Sequence, residues 1–185
     1  REASGLDDRE ISYAYVGDAR FNVGCSLLMG GALLGMDVRL IAPSKLLPPD
    51  SVVRTAREIA DITGARITLT EDLGAVRGCR FIHTDIWVSM GEPESVWTER
   101  ILLLRDYQVN RELLERTEVP DVKFMHCLPA YHNRETTVGE AVYQRFGLEE
   151  LEVTDEVFES AASIVFDQAE NRMHSIKAIL VATLT

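Results

Sequence analysis

The chain has 185 residues, with 19 Lys and Arg against 30 Asp and Glu, a formal net charge of −11 and an isoelectric point near 4.8. That balance argues against nucleic acid or an anionic membrane as the main partner, while 46% hydrophobic and 26% charged residues describe a folded domain rather than a disordered one. No apolar run approaches the ~20 residues of a membrane-spanning helix, and Arg1-Glu2-Ala3-Ser4-Gly5 lacks a signal peptide's apolar core. The sequence therefore reads as one domain over residues 1–185, a cytoplasmic piece of a longer protein.

In chain order, Ile11 to Val16 is the first expected strand, stopped by Gly17-Asp18. Asn22 to Leu34 is almost uniformly small or apolar, as a helix packed on a sheet requires, and Gly35 fits its C-cap. Asp37 to Ala42 is a second strand ended by Pro43, and Asp50 to Thr63 an amphipathic helix followed by Gly64. Arg66 to Thr70 is a third strand, Glu71 to Val76 a short helix, and Arg80 to Thr84 a fourth strand opening into the irregular stretch Asp85 to Pro93. Helices are expected at Val96–Leu104 and Asn110–Arg116, a fifth strand at Val122–His126, and a short helix near Thr137–Phe146. A last long helix, about Ser160 to Thr183, should pack back on the sheet.

Strands alternating with helices predict an α/β fold, a doubly wound parallel sheet with helices on both faces. Right-handed crossovers favour the order 3-2-1-4-5. Ligands of such sheets bind beyond the carboxyl ends of the strands where the winding reverses, here between strands 1 and 4. The loops after strands 1, 4 and 5 should meet there.

The first of these loops, Gly17-Asp18-Ala19-Arg20-Phe21-Asn22-Val23-Gly24, lacks the GxGxxG fingerprint and so disfavours a dinucleotide. Asp18 or Asn22 fits a helix N-cap, and Asn22 can also offer a ligand both a donor and an acceptor. The second loop joins Asp85 and Ser89 to apolar Ile86, Trp87, Val88 and Met90. A surface turn seldom carries so much apolar surface unless it covers something. Strand 5 runs into His126-Cys127-Leu128-Pro129-Ala130. A lone Cys is usually a small buried hydrophobe, but Cys127 falls at a strand's carboxyl end beside the expected crevice, which Cys25 and Cys79 do not. Three widely spaced cysteines supply neither a disulfide framework nor a CxxC metal site. On the last helix, Arg172 can pair with neighbouring acids or hold a phosphate bidentately.

Taken together, Tyr15-Val16-Gly17-Asp18-Ala19-Arg20, Asp85-Ile86-Trp87-Val88-Ser89-Met90-Gly91-Glu92, His126-Cys127-Leu128-Pro129-Ala130, Val153 to Ser160 and Phe166 to His174 resemble the ornithine carbamoyltransferases. The resemblance runs from Ile11 to Leu184 and covers that family's second, ornithine-binding domain. The carbamoyl-phosphate domain with its Ser-Thr-Arg-Thr-Arg loop has no counterpart in these residues, and Phe21 stands where members often carry a second Asn. The resemblance implies transfer of a carbamoyl group to the δ-amino group of L-ornithine, giving citrulline and phosphate without metal or organic cofactor. It implies that Asn22, Asp85, Ser89 and Met90 hold ornithine, that Cys127 and Leu128 line the junction with carbamoyl phosphate, and that Arg172 reaches carbamoyl phosphate. Asp85 would orient the amine while a thiolate at Cys127 takes up its proton. The loop Asp85–Pro93 would close as a lid, and the parent enzyme would assemble as a homotrimer or a multiple of trimers. Two other readings are a carbamoyltransferase for another amine or amino acid, and a non-catalytic amino-acid-binding or assembly fragment.

Overall fold

A computed structural model describes residues 1–89 and 92–184, with the Glu94 side chain also outside the description. Five parallel strands form one sheet in the order β3-β2-β1-β4-β5. They are β1 (Ser12–Val16), β2 (Asp37–Ile41), β3 (Arg66–Thr70), β4 (Phe81–Thr84) and β5 (Lys123–His126). The helices are α1 (Asn22–Leu34), α2 (Asp50–Thr63), α3 (Trp97–Leu104), α4 (Arg111–Glu115), α5 (Thr137–Phe146), α6 (Asp155–Phe158) and α7 (Val165–Leu184). The expected α/β architecture and strand order are both present.

Strand alternation divides the core between the two faces. On β1, Tyr13 and Tyr15 join one apolar cluster with Leu28, Ala32, Val38 and Leu40, while Ala14 and Val16 join another with Ile41, Ile82 and Phe124. Side chains of period two can serve both layers only if the strand is buried on both faces, and all five β1 residues are. Gly35 and Gly64 end α1 and α2 in the left-handed conformation, as read from the sequence, and Gly147 does the same for α5. Gly24 lets α1 approach the loop before it, since a Cβ there would lie 2.6 Å from the Ala19 backbone.

Three elements differ from the sequence reading. The short helix expected over Glu71 to Val76 is confined to a 3-10 helix at Leu73–Val76. The turn of helix at Asp155–Phe158 was not expected. The last helix begins at Val165 rather than Ser160, because the preceding residues are extended against β5. Phe124 donates to the Ala162 carbonyl at 2.8 Å and accepts from Ile164 N–H at 3.0 Å, covering the strand's outer edge. Beyond its first turn α7 does not pack back on the sheet. Val165 is its one buried residue, and every described residue from Ala169 onward is exposed.

Candidate functional site

Register decides which loop residues meet. Tyr13 pairs with Phe81 and Phe81 with Lys123, and the pairing continues to Thr84 beside His126. One step further, Gly17, Asp85 and Cys127 leave three adjacent strands side by side. Gly17 adopts a φ of 131°, open to glycine and strained for other residues, with Thr84 Oγ1 only 3.3 Å from where a Cβ would stand.

The Cys127 thiol donates to Asp85 Oδ1 at 3.1 Å, and the Ile86 N–H donates to the same oxygen at 2.8 Å. Desolvation, then the charge and hydrogen bond of Asp85, push the thiol up to about 12, although the residue as a whole is exposed. At neutral pH the resting site therefore holds a neutral thiol against a carboxylate acceptor. A carboxylate at hydrogen-bond distance penalises the second negative charge that a thiolate would bring.

His126 holds the turn that follows. Its Nδ1 accepts the Leu128 N–H at 3.0 Å, so Nε2 carries the ring proton, facing the buried Glu152 Oε1 at 3.3 Å but off hydrogen-bond geometry. Glu152 also accepts the Tyr131 N–H at 2.6 Å. Leu128 is forced to a φ of 46°, a left-handed conformation uncommon outside glycine. On the other side of the strand, Gln168 on α7 accepts from the His126 N–H at 3.1 Å and sets its amide nitrogen 3.1 Å from His83 Nε2. Desolvation, reinforced by His126, depresses His83 to about 3, so it is neutral.

Of the residues read as ornithine ligands, Asn22 is exposed at the start of α1 and makes no side-chain hydrogen bond among the described residues. Neither Asp18 nor Asn22 caps that helix: the N-cap is Phe21, which leaves the first amides open, and Arg20 lies 5.1 Å over the Phe21 ring. Ser89 is half-buried, at the rim of a cavity of about 520 Å³ that also touches Val88, Glu92, Trp97 and α5. Met90 lies outside the described residues. Arg172 is exposed on α7, one turn beyond Gln168, and its guanidinium pairs with nothing among the described residues.

Among the described residues, two side-chain groups are close enough to share a metal ion: Asp85, His126 and Cys127, and separately His132, Asp155 and Glu159. In the first, the His126 Nδ1 and the Cys127 thiol are already committed to hydrogen bonds within the protein. In the second, His132 Nδ1 lies 2.7 Å from Asp155 Oδ1, and the ring stacks on Phe158.

The sequence reading missed an ionic network behind the loops. Asp18, read there as a cap, is buried and binds Arg20 and Arg100, and Arg100 also binds Glu92. The only hint is local: Arg100 stands immediately before the apolar run Ile101 to Leu104 on α3.

Residues 9–183 match the family model of the aspartate/ornithine carbamoyltransferase Asp/Orn-binding domain. The chain belongs to this family. Among solved structures it is similar to ornithine carbamoyltransferase from Gloeobacter violaceus, at 35% identity and a TM-score of 0.79 over all of this chain and 55% of that one. It is also similar to the Pyrococcus furiosus ornithine carbamoyltransferase, at 38% identity and a TM-score of 0.76 over 92% of this chain and 48% of the other. An N-acetyl-L-ornithine transcarbamylase shares the fold, with 21% identity and a TM-score of 0.68. This carbamoyltransferase domain thus spans about half the length of its solved relatives. No helix among the described residues is long and apolar enough to cross a membrane.

Proposed function

We propose that this chain is the ornithine-binding domain of an ornithine carbamoyltransferase of the cytoplasm, the whole enzyme acting as a homotrimer or a multiple of trimers. The reaction would join L-ornithine and carbamoyl phosphate to give citrulline and phosphate. The observation that carries the reading is the thiol of Cys127 donating to Asp85 Oδ1 at 3.1 Å, beside the loop that begins α1. The Gloeobacter violaceus and Pyrococcus furiosus enzymes, each with more than a third of residues identical, are by name ornithine carbamoyltransferases.

The chemistry suits that pair. Ornithine's δ-ammonium, with a pKa of about 10.4, cannot attack a carbonyl until it loses a proton. Asp85 is an acceptor placed at a strand end, where it can take a hydrogen bond from the amine and orient its lone pair. A bound ammonium would offset the Asp85 charge and so ease ionisation of Cys127, turning a neutral donor into a proton acceptor only when substrate is present. The amine's electron pair then forms the C–N bond while the C–O bond to phosphate breaks, the electrons leaving with phosphate. Bringing the two reactants together is the main task, and phosphate is already a competent leaving group.

In this proposal Asn22, Asp85, Ser89 and Met90 hold ornithine. Cys127, Leu128 and Arg172 face carbamoyl phosphate. The test is citrulline formation by the full-length protein from carbamoyl phosphate with ornithine, against product formation with aspartate and putrescine. Ornithine should be the best substrate by kcat/KM, and faster turnover of aspartate or putrescine would overturn the assignment.

A further inference from the structure

Arg100 is only 7% exposed on a helix whose neighbouring Ile101 and Leu104 are core residues. A guanidinium is almost never buried without paired partners, and here each partner comes from a different loop. Arg100 Nη1 binds Asp18 Oδ2, in the loop after β1, and Arg100 Nη2 binds Glu92 Oε1 at 2.8 Å, in the loop after β4. The connections run on at both ends. The other Glu92 oxygen accepts the Ser89 N–H at 2.8 Å. The Asp18 carboxylate also holds the Arg20 side chain at 2.8 and 3.0 Å and its backbone N–H at 3.2 Å, one residue before the cap of α1.

A chain of charge-assisted bonds thus passes from the Ser89 amide through Glu92, Arg100 and Asp18 to the start of the helix that carries Asn22. A buried ion network of this kind is a poor device for stability alone, since apolar residues of similar volume commonly serve as well. Its distinctive property is directional: a planar fork fixes two carboxylates relative to each other, which a lysine's single ammonium does not.

We propose that Arg100 is a positioning residue, which locks the loop after β1 against the loop after β4 and so sets the separation of Asn22 and Ser89. The proposal rests on the reading of those two residues as ornithine ligands. Arg100 touches neither substrate in this account and acts only through Asp18 and Glu92.

The experiment uses the full-length protein with the variants Arg100→Met, Arg100→Lys, Glu92→Gln and the double variant Arg100→Met/Glu92→Gln. At saturating carbamoyl phosphate, Arg100→Met and Glu92→Gln should each raise the ornithine KM about tenfold, with kcat changed less than about threefold. Glu92→Gln should add nothing in the Arg100→Met background, because both act through one connection. Arg100→Lys should recover only part of the loss. Without substrate, hydrogen exchange at residues 17–22 and 85–89 should quicken in Arg100→Met while β2 remains protected. If Arg100→Met does not fold, Glu92→Gln and Arg100→Lys carry the same readouts. An unchanged KM, additive effects in the double variant, or exchange that quickens uniformly through the sheet would overturn the proposal. Should the unmodified protein ignore ornithine, the functional reading fails while the exchange data still decide whether Arg100 locks the two loops.

Discussion

Replacing Asp85 with Asn should make Cys127 more reactive, although it removes a group placed in the reaction. The thiol stands at about 12 against an ordinary value of 9.0, so at about pH 8 its thiolate fraction is about a thousandfold below that of a free cysteine. A more basic thiolate is a better nucleophile, and a Brønsted coefficient of about 0.45 returns roughly twentyfold of that loss. Alkylation of Cys127 should therefore run roughly fiftyfold slower than that of an unstructured cysteine. Asp85→Asn removes the charge but leaves the desolvation, so the rate should recover by roughly five- to tenfold. The assay is iodoacetamide labelling, quenched over time and followed by peptide mass spectrometry, with a parallel pH series. Cys25 serves as the internal control, since desolvation alone raises its thiol. In the unmodified protein the Cys127 rate should keep rising above about pH 10.5, where a free cysteine's has levelled off. A plateau by that pH, or an Asp85→Asn variant that labels no faster, would refute the carboxylate's part in holding the thiol neutral.

Three further outcomes are expected. Gly24→Ala should destabilise the domain by about 1–3 kcal/mol in urea melts, since the new methyl would press on Ala19 backbone atoms rather than on a movable side chain. His83, buried at about 3, takes up protons mainly in the unfolded chain between its unfolded value near 6.5 and its folded one. Its contribution is thus complete above about pH 6.5 and falls by roughly 2 to 3 kcal/mol on acidification to about pH 4.5; urea midpoints across that range should fall less steeply in His83→Leu. Finally, the 185-residue chain alone should form no measurable citrulline, because the entropic advantage of holding two reactants together, about 7–11 kcal/mol, needs a complete site for each. Citrulline released by the purified chain would overturn that expectation.

The parts of the fold set by local chemistry were legible in the sequence. Pro43 and the glycines at 35 and 64 mark where strands and helices stop, for reasons contained within a few residues. Strand order followed from crossover handedness, and with it the meeting of Gly17, Asp85 and Cys127. What was missed depends on distant partners. The start of α7 is fixed by hydrogen bonds from residues 162–164 to Phe124, and nothing within Ser160 to Val165 announces that pairing. Asp18 carries the chemistry of a cap, and its buried pairing is with an arginine 82 positions along the chain as well as with nearby Arg20. The basicity of Cys127 is likewise not legible in its sequence neighbours. A thiol's basicity depends on whether a carboxylate lies beside it, and Asp85 is 42 residues away in sequence.

The outlying part of α7 has a consequence for any melting experiment on this chain. From Ala169 onward every described residue is exposed, including Met173, Ile176, Ile179 and Leu180, so tertiary packing lends those turns little support. Helices of such length are marginal in water on their own propensity. Far-ultraviolet circular dichroism would thus register an early, shallow loss of helix, while the fluorescence of buried Trp87 would follow the cooperative collapse of the sheet. The two curves should not superimpose, and a single two-state fit to the dichroism would understate the stability of the core.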